Sequence, residues 1–484
     1  MVEVKTYIQT LFNAKGINIS SNRQGIFDEF VKTSHCEELV TSILQNQNHI
    51  MDKWKIINRK ADIIAQQIVI PNATIGKHYE AKIDFQILNL SDLIFEDFGG
   101  LDQIGLTFNI ETYTIEGTPS QSGDVKLKLL FRIQGETDNS PVNEKFISLV
   151  INPDPKSLWK DIPSDTNDLF WKEDDISIAD ELGDKNIVVA SKRGRSHENV
   201  GSFRDDDFAF KHFEKTGWSV IAVSDGAGSY SLSRKGSQLA CNLLVDFFEN
   251  HSDIEKSREF EAKLLEYNNS KEETILKELE VLAKQNLYKA TVFVHNKIKE
   301  HSEDTFKSNP ELFNNPKAKN YIDYYHSTLI FALFKKYDFG YVILTFGVGD
   351  CPIAIMNKEQ NETKLLNWLD VGEHGGGTRF ITEPDIFINK ERLIASRFNF
   401  KIIPDFSFLF LMTDGIYDAK FVVEANLEKN EKWNEFLVDL QGNNEDNVKV
   451  DFDKSNTEIA SQLSNWMDFW SQGNHDDRTL AIVY

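Results

Sequence analysis

The chain has little of what disulfide scaffolds, membrane spans and nucleic-acid binders need. Its three cysteines, Cys36, Cys241 and Cys351, stand far apart without the spacing of metal ligands. Neither a disulfide framework nor a thiolate zinc site is expected, and reduced cytoplasmic thiols are the simplest account. Basic residues number 53 against 76 acidic ones, a net charge of −23. That balance is the wrong sign for a nucleic-acid backbone or an anionic membrane face, and it serves solubility. No apolar run reaches the roughly 18–20 residues that cross a bilayer. The opening residues Met1-Val2-Glu3-Val4-Lys5-Thr6-Tyr7 lack the charged-then-apolar order of a signal peptide. These absences predict a cytoplasmic protein with no nucleic-acid or membrane partner.

At 484 residues the chain is too long for one core, which seldom grows past about 250–300 residues. Changes of pattern divide it. From 1 to 58, apolar residues such as Ile8, Leu11 and Phe12, then Leu39, Ile43 and Leu44, recur at helical spacing. No chemistry is visible there, and a small helical packing or docking module is expected. From 61 to 152 the period changes to two, as in Tyr79-Glu80-Ala81-Lys82-Ile83-Asp84-Phe85 and Lys126 to Ile133. With the turn Gly117-Thr118-Pro119 after Ile115-Glu116, this region is similar to the immunoglobulin-like domains of bacteria. The resemblance implies an all-β sandwich that binds a protein partner or acts as a spacer. Residues 153–185, rich in Asp and Pro, read as a linker. From 186 to 484, strand and helix patterns alternate, with helices expected from Ser233 to Glu249 and through Leu276, Leu279, Ala283, Leu287, Ala290, Val294 and Ile298.

Chemistry concentrates in this last region, at the ends of strand-like runs. Trp218 to Val223 stops at Ser224-Asp225-Gly226, and Phe408 to Met412 stops at Thr413-Asp414-Gly415. Gly347-Val348-Gly349-Asp350 follows another apolar run, and Asp476-Asp477-Arg478-Thr479 opens the strand Leu480 to Tyr484. Carboxylates gathered from strand ends, with glycines that let backbone approach closely, suit hard, oxygen-liganded divalent ions. Any single Asp-Gly is a common turn; the ordered set is not.

That ordered set, with Ala190 to His197, Asp205-Asp206-Asp207-Phe208 and His326-Ser327-Thr328-Leu329, resembles the type 2C (PPM) metal-dependent protein phosphatases, in their bacterial branch, over 186–484. The resemblance implies an α+β fold: an α/β-β/α sandwich of two antiparallel sheets flanked by helices, with the metal site at one edge. It would follow the immunoglobulin-like sandwich and the helical segment. It also implies a serine/threonine phosphoprotein phosphatase in which two Mg²⁺ or Mn²⁺ ions share a hydroxide that attacks the phosphate monoester. By the same resemblance Asp225 bridges the ions, the Gly226 carbonyl ligates one, and Asp414 and Asp477 close the other. Asp350 and Asp418 would hold a third ion or hydrogen-bond to waters around the first two.

The front of the motif departs from the family, because an added loop separates Gly194-Arg195-Ser196-His197 from the acidic run. Asp206 fits the acidic position that tunes metal-bound water. For the phosphate, Arg195 offers a bidentate fork and His197 a hydrogen bond or a proton for the leaving hydroxyl; both stand as candidates, with Arg193 and Arg204 behind them. The glycine run Gly372 to Thr378, with His374 inside it, reads as a mobile loop. The expected partner is a phosphorylated protein. The alternative is a non-catalytic, phosphatase-like sensor or scaffold, disfavoured because Asp225, Asp414 and Asp477 are all present; a small phosphorylated molecule is a third possible substrate.

Overall fold

The computed structural model describes residues 4–136, 139–154, 159–371, 377–388 and 393–484. The chain divides into two compact units, Met1–Leu158 and Trp159–Tyr484. Among the described residues no helix is long and apolar enough to cross a membrane.

The second unit is built on two sheets in which every neighbouring pair is antiparallel. One has five strands, in the order Asp207–Phe213, Trp218–Ser224, Leu329–Tyr337, Gly340–Val348, Phe398–Ile403. The other has six, in the order Thr363–Leu365, Ile353–Asn357, Phe406–Met412, Arg478–Val483, Lys185–Lys192, Asp175–Leu182. Central strands such as Trp218–Ser224, Gly340–Val348 and Phe406–Met412 are largely apolar because both of their faces are buried. Along Trp218–Ser224, Val220 and Ala222 join the core beneath the helices, and Ile221 and Val223 the core between the sheets. Along Phe406–Met412, Phe408 and Phe410 pack with Trp433, Phe436 and Trp466 of the helices on the other side, while Leu409 and Leu411 point between the sheets. Four layers result: helix, sheet, sheet, helix.

The helices follow the predicted spacing and run further than it. Ser233–Asp246 continues as a wider turn over Phe247–His251. Glu273–Ser308 buries Leu279, Ala283, Leu287, Ala290, Val294 and Ile298 along one stripe, and the charged stretch before it is itself a helix, Ile254–Ser270.

The first unit joins two regions that the pattern change separates. Helix Ser34–Ala65 runs across the expected boundary at 58, and its Ile63 is fully buried with Leu127, Phe131 and Leu149 of the β part. That part has a four-stranded sheet, Ala73–Thr74, Asn143–Asn152, Gly123–Ile133, Leu93–Gly99, and a three-stranded one, Tyr79–Lys82, Thr114–Gly117, Leu106–Asn109. On the same helix Ile43, Ile50, Trp54 and Ile57 are exposed, Ile50 to 68% and Trp54 to 65%.

The expected linker is shorter than 153–185. Residues from 159 onward belong to the second unit, and Asp175–Leu182 is its edge strand, paired from Asp175↔Lys192 to Leu182↔Lys185. The Asp-rich composition comes from ion pairs and turns that pin the segment down, such as Arg193 with Asp161 at 2.9 Å and Ser164 Oγ donating to Asp174 at 2.5 Å.

Because Leu411 is fully buried between the sheets, Leu411→Ala should cost about 2–5 kcal/mol. Chemical denaturation of the full chain checks this; a cost near zero would mean that the two sheets are not packed face to face at this position.

Candidate metal centre and phosphate site

Alternating strand directions bring five strand ends to one edge of the sandwich. Trp218–Ser224 runs out into Asp225, Gly340–Val348 into Gly349-Asp350, and Phe406–Met412 into Thr413 and the helix Asp414–Phe421. Arg478–Val483 starts directly after Asp476-Asp477, and Asp207–Phe213 starts opposite Ser224, after Asp206.

Each carboxylate is fixed through its backbone or one oxygen. The Asp225 N–H donates to Thr328 Oγ1 and its carbonyl accepts from the Thr328 N–H, both at 2.8 Å. Asp206 is buried; its Oδ2 accepts from the hydroxyls of Thr413 and Thr479, each at 2.8 Å. Asp350 Oδ2 accepts from Thr378 at 2.7 Å. Ahead of it, Asp370 pairs bidentately with Arg397 (2.6 and 3.0 Å) and accepts the Gly349 N–H at 2.9 Å, setting the turn that presents Asp350. The Oδ1 atoms of Asp206 and Asp350 are buried and have no hydrogen-bond partner among the described residues.

Electrostatics shows which carboxylates share the space. Asp225 is held well above the usual carboxylate range by burial and then by the charges of Asp414, Asp206, Asp476 and Asp350. Asp414 is raised in the same way, by burial and then Asp476, Asp350, Asp206 and Asp418. Asp206 is pushed up to about 7 by burial and the neighbouring Asp477. Asp418 is raised by burial and by Asp350, which puts it on the Asp350 side of the group. So many acids, crowded out of water, form a receptacle for cations.

Asp477 departs from expectation. Its Oδ1 accepts from the Gly194 N–H at 2.5 Å and faces His197 Nδ1 at 3.0 Å, and its Oδ2 accepts from the Asp205 N–H at 2.5 Å. Burial alone would raise its pKa, yet these donors hold it below the ordinary value. Its oxygens are committed to the protein. Asp476 is the member of the pair whose charge raises both Asp225 and Asp414. Two glycines make this turn possible: a Cβ on Gly194 would collide with the Asp476 carbonyl, and one on Gly415 with the Asp477 carbonyl.

The two phosphate candidates separate. Arg195 donates to the Asp468 carbonyl at 2.9 Å, with its guanidinium 5.5 Å from the Trp470 ring centre. It is engaged away from the carboxylates. His197 sits among them, with Nε2 3.9 Å from Asp205 Oδ2. Burial opposes its charge, but the hydrogen bond and charge of Asp477, with Asp205 and Asp476 beside it, push the imidazole up to about 9. Arg193 donates to the Ser202 carbonyl at 2.8 Å and pairs with Asp161, while Arg204 donates to Ser191 Oγ and the Asp206 carbonyl, both at 2.6 Å. Both are buried supports. The glycine run around His374 falls in 372–376, outside the described residues.

Cys351 is a neighbour that linear spacing does not reveal. Its sulfur and one oxygen each of Asp225 and Asp350 all lie within 4.8 Å of one another. Burial pushes the thiol up, so it is a neutral group, 3.4 Å from Thr328 Oγ1.

A family model for protein phosphatase 2C matches residues 193–467. That is more than half of the chain, and the protein belongs to the protein phosphatase 2C family. Three solved structures illustrate the likeness. The catalytic domain of the serine/threonine protein phosphatase PstP, in complex with two manganese ions, has 12% identity and a TM-score of 0.34, over 61% of this chain and 96% of that one. The S. agalactiae serine/threonine phosphatase has 13% identity and a TM-score of 0.33, over 62% and 99%. The serine/threonine phosphatase of Staphylococcus aureus has 10% identity and a TM-score of 0.35, over 64% and 96%. No curated protein matches the chain in sequence. Since the family match ends before Asp476, the distinction between Asp476 and Asp477 stands on the geometry.

The two aspartates should respond to substitution with opposite signs. Asp476→Asn removes one charge from a mutually repelling group, so the metal-free protein should melt higher and gain less from added Mn²⁺. Asp477→Ala leaves buried N–H donors without an acceptor, at about 1–3 kcal/mol each, and should melt lower with or without metal. Thermal unfolding in chelator and in Mn²⁺ separates the two; equal behaviour would remove the division of roles.

Proposed function

We propose that the protein is a Mg²⁺- or Mn²⁺-dependent phosphatase that hydrolyses phosphoserine and phosphothreonine in a protein substrate. The observation that carries this reading is the convergence of Asp206, Asp225, Asp350, Asp414 and Asp476 at one edge of the sandwich, two of them with a buried oxygen that has no hydrogen-bond partner among the described residues.

The donor set fits the ions. Its charged members are carboxylates, which suit Mg²⁺ and Mn²⁺, and the neighbouring Cys351 is kept protonated by burial. Asp225 and the Gly226 carbonyl would hold one ion, Asp225, Asp414 and Asp476 the other, and Asp350 with Asp418 a third. When bound, such ions neutralise a phosphate dianion and acidify water. The chain's own residues supply the rest. Thr413 and Thr479 orient Asp206 so that Oδ1 remains free to accept a proton or hydrogen bond. His197, oriented by Asp477 through Nδ1, holds a proton on Nε2 that it donates to the leaving serine or threonine oxygen. The hydrogen bond and charge of Asp477, with Asp205 near Nε2, keep the ring charged.

Hydrolysis should stop on chelation and return with Mn²⁺. Asp225→Asn, Asp414→Asn and Asp476→Asn should each reduce kcat about a hundredfold or more while the fold survives. The assay is a phosphopeptide panel beside a small-molecule panel. Full turnover by Asp225→Asn would remove the site, and a preference for small phosphate esters would replace the protein substrate.

The first unit is read as a recruiter of the phosphoprotein. Its exposed Ile43, Ile50, Trp54 and Ile57 support this, as do its two sheets, in keeping with the immunoglobulin-like resemblance. A chain begun at Trp159 should hydrolyse a generic ester at close to the full-length rate and lose preference for the protein partner. The boundary matters, because a chain begun near Asp174 would lack Lys172, which is bonded to Asp206. A folded but inactive 159–484 chain would assign the first unit a part in the chemistry.

A further inference from the structure

The segment 159–174 lies along the catalytic unit as a strap: Trp159 packs on His475 and Phe170 on His301, and several polar anchors fall on the loop that carries His197 and Asp206, or beside it. The Ile162 N–H donates to the Glu198 carbonyl at 2.9 Å. Asp161 pairs with Arg193 at 2.9 Å and Asp168 with Arg234 at 2.7 Å. The Glu173 carbonyl accepts from Arg204 Nε at 3.2 Å. Deepest is Lys172, whose side chain is 7% exposed. Its ammonium donates to the Asp206 carbonyl at 2.6 Å and to Asp207 Oδ2 at 2.9 Å.

Asp206 is therefore clamped at both ends. Two cations, Lys172 and Arg204, hold its carbonyl, and two threonine hydroxyls hold its Oδ2. With the peptide plane and one carboxylate oxygen fixed, the direction of the free Oδ1 is fixed too. A buried ammonium is costly to desolvate, and an apolar side chain of the same volume would often be no less stable. Stability alone does not explain a lysine here, whereas directing Asp206 does.

We propose that Lys172 is a positioning residue for Asp206 and that the strap 159–174 is a working part of the catalytic centre. This rests on the metal-dependent reading given above.

The test compares Lys172→Met with the double variant Lys172→Met/Asp207→Asn in the full chain. The double variant removes both members of the buried pair, so Asp207 is not left as an orphaned charge. Readouts are thermal midpoint, Mn²⁺ binding by calorimetry, and kcat and KM on para-nitrophenyl phosphate. Because Asp206 is also one of the acids crowded into the receptacle, Lys172→Met should lower kcat and weaken Mn²⁺ binding about tenfold each, with KM within about twofold of the wild type. The double variant should recover the thermal midpoint but neither kcat nor Mn²⁺ affinity. Recovery of all three would make Lys172 only a counter-charge for Asp207 and overturn the proposal. So would a Lys172→Met protein unchanged in kcat and Mn²⁺ affinity, or the failure of both variants to fold. If the wild type binds Mn²⁺ but hydrolyses no ester, the enzymatic reading fails while Mn²⁺ affinity still decides Lys172. A wild type that binds no Mn²⁺ overturns both.

Discussion

The carboxylate of Asp477 takes N–H donors from Gly194 and Asp205 and faces the ring of His197, and the remainder of the site leans on that knot. Three stretches distant in sequence meet there: the end of strand Lys185–Lys192, the loop before Asp207, and the start of strand Arg478–Val483. Asp477 is buried and ionised only because donors surround it. Its neighbour Asp476 receives only the Asp477 N–H on Oδ1 among the described residues and stands with Asp225 and Asp414, where cations can relieve the crowding. The division between a structural anion and a cation-seeking one is made across a single peptide bond.

The geometry makes the outer ring of arginines a scaffold more than a contact surface. Arg193, Arg204, Arg397 and Arg478 are all buried, and each is bonded to main-chain carbonyls, among other partners. They bring order to irregular backbone around the site, where no ladder of hydrogen bonds is available. His197 stands among the acids themselves, against Asp477 and near Asp205.

Much of this was legible in the chain itself. Abrupt stops of apolar runs at Ser224-Asp225-Gly226 and Thr413-Asp414-Gly415 marked strand ends, because a strand buried on both faces carries no charged residue until it leaves the sheet. The stripe from Leu279 to Ile298 marked a buried helix for a similar reason. The resemblance put Asp477, not Asp476, on the ion; adjacent carboxylates carry no periodicity, and only their partners distinguish them. The segment 159–182 looked like a linker because its polar residues are satisfied by bonds to distant positions, as with Lys172 and Asp207. Cys351 gave no spacing signal: it directly follows Asp350, but its other neighbour, Asp225, comes from a different strand.

The strand Arg478–Val483 lies in the middle of the six-stranded sheet, between Phe406–Met412 and Lys185–Lys192. Until residues near 483 have been synthesised, those two strands lack the piece that joins them, and their apolar edges stand open. Pairings this far apart in sequence form slowly. During synthesis the six-stranded sheet must therefore carry a gap at its centre, and Asp414 and Asp476, beside that gap, cannot join the acids at 206, 225 and 350 of the other sheet until it closes. Completion of the sheet and creation of the receptacle are one event, so an incompletely made chain has no means of holding a cation there.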